Sequence, residues 1–193
     1  MKFDELNQLK RFFAVMDVDN KDERVSFAMR MNEALFYILL LIQTEIKVGN
    51  EIDPNEYYGM LENRMRDVYE ESDLIPNEEY LPVITRDIID TTLRHTDDPY
   101  FVSKGRALVI AQNEANTAYN LKDYDNAVAS GKKYKTWRAE MDDRTRFDHA
   151  MTDGVKIPIN EYFHVGEDDM RFPHDWQASP ENIVNCRCIC TYE

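Results

Sequence analysis

The chain predicts an α+β architecture, with a mainly helical N-terminal part followed by a small mixed α/β C-terminal module. Three features carry this expectation. Apolar residues recur at helical spacing through most of residues 1–131, and the period shortens to alternation at Lys133. Beyond that point turn residues crowd the sequence, and all three cysteines stand one residue apart at its end. We divide the chain into residues 1–101, a helical partner-binding region, and 102–193, a long helix with a small mixed sheet and loops.

Leu6, Leu9, Phe13 and Met16 mark a first short amphipathic helix, broken at Asp17-Val18-Asp19-Asn20. From about Glu23, the positions Phe27, Met31, Leu35, Ile38, Ile42 and Ile46 make a long helix that Gly49-Asn50 stops. Its stretch from Ala34 to Ile42 is apolar all round, which suits a central helix or one that faces a partner. Asp53-Pro54 supplies a cap and a first-turn proline for a helix to about Glu71, with Tyr57, Leu61, Met65 and Val68 inward. A fourth helix, starting at Glu78 or Pro82 and ending at Leu93, carries Val83, Ile84, Ile88 and Thr92, and Asp97-Asp98-Pro99 ends it.

The next helix runs from near Ser103 to Gly131. It gathers Ala107, Ile110, Ala111, Glu114, Ala115, Ala118 and Tyr119 on one side, and its small residues permit close approach. Asn113, Asn116 and Asn120 are poor helix formers whose presence is best explained by contacts, so this helix should dock on the C-terminal module through polar side chains. Lys133 to Ala139 then alternates as a strand, with Lys135 and Trp137 on one face. Asp142-Asp143 can cap a short helix through Met151, and Asp153-Gly154 makes a turn before a short strand at Val155 to Ile157. Glu167-Asp168-Asp169 reads as a solvated acidic turn. Phe172 to Pro180 reads as an ordered loop held by Trp176, and Val184 to Cys190 as a final strand.

Charge narrows the function. The net charge is -14, of which residues 1–131 contribute -11 and residues 132–193 contribute -3. Neither part offers the basic surface that direct binding to nucleic-acid phosphates needs, so a partner protein is expected and DNA contact only indirectly. The longest wholly apolar run is Ala34 to Ile42, short of a membrane span, and Met1-Lys2-Phe3-Asp4-Glu5 shows no leader. Three cysteines do not make a disulfide framework, which points to a reducing compartment.

The chemistry concentrates in two clusters. In a strand Cys186 and Cys188 face one side and could grip a soft ion, with His149 as a third ligand and His164, His174, Asp175 or Cys190 as a fourth. Zn would be the natural occupant of such a sulfur–nitrogen site. The alternative has both cysteines as small buried groups, no cofactor, and His149 hydrogen-bonded to a carboxylate or carbonyl. The second cluster joins Asp143, Arg144 and Arg146. Arg144 has Asp148 four residues on, and Arg146 could reach Glu114 or Asp143, giving a salt-bridge network. A catalytic reading would make His149 a general base with Asp143 or Glu114 as its orienter or acid. Nucleophile elbow, phosphate-binding glycine loop and H-E-x-x-H helix are all missing from the sequence.

The order of these pieces resembles the phage head morphogenesis family, the Mu protein F-like or minor head proteins. The resembling residues are Arg106-x-x-x-Ile110-Ala111-x-x-Glu114-x-Asn116-x-Ala118-Tyr119-Asn120, then Lys135-x-Trp137, then Asp143-x-Thr145-Arg146-x-x-His149 and Asp153-Gly154. Phe172-Pro173-x-Asp175, Pro180 and Asn185-Cys186-Arg187-Cys188 complete the set, from about Ser103 to Tyr192. The resemblance implies a minor capsid component of a phage or prophage, acting in procapsid assembly through portal or capsid protein, in the host cytoplasm and then in the virion head. It implies no established catalytic activity; apart from it, no membrane partner is expected, and the chain could oligomerise. With the resemblance, Arg106, Glu114, Asn116, Asp143, Arg144, Arg146, His149 and Arg187 form the expected polar network. Two other functions stay open: a metal-dependent hydrolase or nuclease centred on His149, and a helical adaptor without catalysis.

Overall fold

A computed structural model describes residues 2–193, with side chains from residue 4 onward, so the pentapeptide read as lacking a leader lies partly outside the described residues. The helical expectation is met element by element. Helix α1 (Lys2–Ala14) buries Leu9, Phe12 and Phe13, and the chain breaks before α2 (Lys21–Val48). Gly49 ends α2 with φ +76°, a left-handed turn that glycine adopts without strain. At α3 (Pro54–Glu70) the Asp53 side chain accepts from the Asn55 N–H at 3.0 Å. Helix α4 (Leu81–Arg94) is followed by a 3₁₀ turn (Pro99–Val102) and by α5 (Lys104–Ala129).

The contacts divide the chain into two compact units, residues 26–111 and residues 1–25 with 112–193. In the first, Phe27, Met31, Leu35, Ile38 and Ile42 of α2 are fully buried, as are Leu61 and Met65 of α3 and Leu81 and Ile89 of α4. Phe27 meets Tyr69 edge-to-face with centroids 5.1 Å apart. Helix α4 keeps Ile88 and Thr92 on its inner face as expected, but not Val83. Val83 is exposed, and Leu81, Thr85, Ile88, Ile89 and Thr92 point inward. The threonines can be buried because their hydroxyls donate back to the Leu81 and Ile88 carbonyls at 2.8 and 2.6 Å.

Helix α2 is half-covered rather than enclosed. Its inward stripe is fully buried, whereas Tyr37 and Leu40 remain exposed. The Arg64 guanidinium lies 3.8 Å over the Tyr37 ring, which softens that apolar face. By length and composition α2 could cross a membrane, although it contains no long wholly apolar run; 56% of the relevant window is buried within the protein, as in a core helix.

In the second unit β1 (Tyr134–Arg138) is the central strand. It pairs antiparallel with β2 (Lys156–Pro158) on one side and β5 (Ile189–Tyr192) on the other, with Trp137 opposite Cys190. Between them stand α6 (Phe147–Thr152) and a hairpin of β3 (Phe163–Val165) and β4 (Asp168–Met170), closed at Gly166 with φ +61°. Helix α7 (Pro180–Ile183) precedes β5. Trp137, Phe163, Val165 and Met170 pack with Cys186 and Cys188 as the module's core.

Four local expectations are corrected. Helix α6 starts at Phe147 rather than at Asp142-Asp143, because Asp142 is occupied by the Arg144 N–H and the Arg187 guanidinium. The acidic turn is instead strand β4, whose Asp168 carboxylate accepts from the Ser179 N–H at 2.9 Å and the Asn182 amide at 2.8 Å. The loop after Phe172 is held by buried Phe172, His174 and Asp175 more than by half-buried Trp176. The final strand begins only at Ile189, since Asn185 with φ +59° turns the chain out of extended geometry just before the cysteines.

Candidate functional site

A run of amide side chains on α5 positions the cysteine segment. Residues 185–188 lie outside any sheet, so their backbone groups need other partners. Asn113 accepts from the Asn185 N–H at 2.8 Å, and Asn116 donates to the Cys186 carbonyl at 3.1 Å. Asn120 donates to the Pro173 carbonyl at 2.8 Å and the Cys188 carbonyl at 3.3 Å. These positions, three and four apart, form one helical face that reads backbone. Behind them Arg24, fully buried, donates to Asn116 at 2.9 Å and Asn120 at 3.0 Å and pairs with Asp123 at 3.3 Å. Burial pulls its pKa down to about 10, against the attraction of Asp123. His174 adds a bond from Nε2 to the Cys186 carbonyl at 2.8 Å.

The segment so held points two sulfurs at one imidazole. Cys186 Sγ lies 3.5 Å and Cys188 Sγ 3.4 Å from His149 Nδ1, and the three atoms sit within 4.8 Å of one another, all buried. The tautomer follows from the outer partners. Asn182 Nδ2 donates to the Val165 carbonyl at 2.9 Å and to Asp168 at 2.8 Å, which turns its Oδ1 toward His149 Nε2 at 3.2 Å. The neutral ring therefore carries its proton on Nε2 and turns its Nδ1 lone pair to the sulfurs, and only the doubly protonated ring can donate to them. Trp137 closes one side with its ring nearly perpendicular to the imidazole, centroids 5.8 Å apart.

The electrostatics suit a thiolate. Burial opposes ionisation of Cys186, but hydrogen bonding from Cys188 and its imidazole neighbours overcome it and hold its pKa well below the usual thiol value. The Cys188 N–H also points at that sulfur, at 3.3 Å. Cys188 is driven upward by its bond to Cys186 and by burial, so one proton is shared by the pair. For His149 burial pushes the pKa down, and the Cys186 contact outweighs it to leave a net rise.

A soft divalent ion fits this donor set. Nitrogen and sulfur bound to one tetrahedral zinc at ordinary bond lengths are about 3.5 Å apart, close to both separations here. A single Nδ1 lone pair can accept from only one thiol, whereas an ion between the three atoms uses all of them. Among the described residues, none of His164, His174, Asp175 and Cys190 joins the group. His164 is exposed beside Asp169, Asp175 holds Arg171 at 2.8 Å, and Cys190 lies on β5, where burial raises its thiol to about 12. A small cleft of about 10 Å³ adjoins the three ligands, bordered by Thr145, Arg144 and Arg146, with room for about one water.

The other candidate residues fall in separate places. Arg187 is buried and grips Asp142 through two bonds of 2.6 Å, which holds that carboxyl far below its usual range. Arg144 lies 3.6 Å from the same Asp142, and Arg146 donates to the Val184 carbonyl. Asp143 is exposed, and Glu114 is buried on α5. Arg106 belongs to the other unit, where it donates to Thr92 Oγ1 at 2.6 Å and to the Phe101 and Ile88 carbonyls. Sequence reading missed Asn182, Asp142 and Arg24. Only Asp142 had a visible signal, its place beside Asp143 ahead of two arginines.

Comparison with known proteins gives one finding. The family model described as Phage Mu protein F like protein matches residues 84–191, just over half of the chain. No curated protein and no solved structure matches significantly.

Proposed function

Because the chain belongs to the phage Mu protein F-like family, a phage head morphogenesis family, we propose that it serves as a minor capsid component that binds portal or shell protein during procapsid assembly. The family match over residues 84–191 carries this reading. Its place of action would be the host cytoplasm and then the virion head. The exposed Tyr37 and Leu40 of α2 offer apolar contact area for such a partner, and the net charge of -14 disfavours a direct duplex-binding role. Copurification with the neighbouring portal or shell protein during head assembly is the test. No association at any stage would refute the proposal.

We assign the polar network of Asn116, Arg144, Arg146 and Arg187, with buried Glu114, a structural role, and His149, Cys186 and Cys188 a zinc-holding one. Such an ion would clamp the cysteine segment to α6, where it would compensate for the small apolar core. Elemental analysis of protein purified without added metal should find close to one zinc per chain; less than about 0.2 would sink the assignment. The cleft beside the three ligands favours a second reading, metal-dependent hydrolysis at His149. That reading requires a turnover abolished both by chelator and by His149→Ala.

A further inference from the structure

A second, larger cleft of about 760 Å³ opens beside the cysteine segment, and its walls are basic. Arg11 from the last turn of α1, Arg144 and Arg146 from the loop before α6, and Arg187 all line it, together with the amides of Gln8 and Gln112. Phe12 supplies an apolar wall, and no carboxylate is among the lining residues. Four guanidinium groups from three distant stretches of sequence thus converge on a protein whose net charge is -14.

Part of that charge is already matched. Asp142 takes Arg187 at 2.6 Å and stands 3.6 Å from Arg144, while Arg146 meets only the Val184 carbonyl. Among the described residues no ion pair is seen to Arg11 or Arg146. A net positive hollow in an acidic surface concentrates field lines on whatever anion enters it.

We infer that this arginine-lined cleft receives a short acidic segment of a partner protein. Three observations favour carboxylates on a peptide over phosphates on nucleic acid. The forked Arg187–Asp142 contact shows that one guanidinium of this cleft already donates to a carboxylate in bidentate geometry. The amides of Gln8 and Gln112 can bond a peptide backbone, and Phe12 can meet an apolar side chain. The hollow is also too small for a duplex, which the chain's net charge of -14 would repel. The inference deepens the assembly reading and rests on it only for the partner being a protein.

The test uses the full chain and a fluorescently labelled glutamate-rich peptide, with a glutamine-rich peptide of equal length as control. Fluorescence anisotropy should show binding of the acidic peptide alone, weakening as salt is added. Arg11→Glu combined with Arg144→Glu should cut the affinity by at least about tenfold, since both side chains are exposed and neither packs in the core. Unchanged far-UV circular dichroism would show that the double variant still folds. Failure to bind, or binding that the double variant leaves intact, overturns the inference. So does a single-stranded oligonucleotide of equal charge that binds more tightly and is lost in the same variant. Copurification with portal or shell protein is scored independently, so either proposal can fail without the other.

Discussion

Residues 26–111 withdraw mainly apolar side chains from water, Phe27, Met31, Leu35, Ile38, Leu61, Met65 and Ile89, with Thr85, Thr92 and Arg106 among the buried polar ones, whereas the unit of residues 1–25 and 112–193 buries Arg24, Asn116, Lys135, His149, His174 and Asp175 beside its apolar core. Length explains the difference. A 28-residue helix such as α2 offers an apolar stripe over many turns and satisfies its own backbone. Strands of three to five residues cannot, and the irregular chain around them leaves carbonyls that only buried side-chain donors can reach. One unit is held mainly by apolar burial; the other depends more on the pairing of its buried polar groups.

The largest effect should come from Arg24→Ala. It strands Asn116, Asn120 and Asp123 together, and should destabilise the C-terminal unit by about 3–5 kcal/mol. Both tryptophans, Trp137 and Trp176, lie in that unit, so a denaturant titration followed by their emission reports on it directly. A loss below about 1 kcal/mol would erase the contrast between the two interiors. Leu61→Ala, read by far-UV circular dichroism, should cost about 3 kcal/mol through the cavity it leaves, and chelator should not change that figure.

Asn182→Ala tests the outer partner of the imidazole. It frees the His149 tautomer and should weaken zinc binding by about tenfold or more, measured by competition with a metal-sensitive dye. Unaltered affinity would show that Asn182 does not orient the ring. The last effect appears only at high pH and concerns Lys135, whose ammonium donates to the Arg171 carbonyl at 2.6 Å and is driven by burial to a pKa of about 8. The folded value lies below the unfolded one, so between about pH 8 and 10.5 the unfolded chain binds more protons and stability rises with pH. The gain reaches at most about 3 kcal/mol by pH 10.5 and is lost as pH falls to about 8. Lys135→Met should flatten that slope.

Much of this was visible in the sequence, for physical reasons that differ by region. Helices announce themselves by period, so α1 to α5 appear within a few residues of their positions, and the asparagines of α5 betray their contacts by being poor helix formers. The alternation that gives β1 is legible in the same way. The hairpin of β3 and β4 was not, because three-residue strands are too short to show a period and Asp168 and Asp169 read as solvent-facing. The convergence of His149 with Cys186 and Cys188 was legible as residue types. Its outer partner Asn182 was not, since nothing local marks one asparagine in a four-residue helix as the ring's acceptor.

The contact between His149 and the cysteines joins positions 37 and 39 residues apart. An ion there would act as a removable crosslink: tying off a loop of that length restricts the unfolded chain by about 4 kcal/mol in the simplest polymer treatment. Retention of the folded module would then track free zinc in the surroundings, giving the local metal supply a direct hold on how long this part of the protein survives proteolysis.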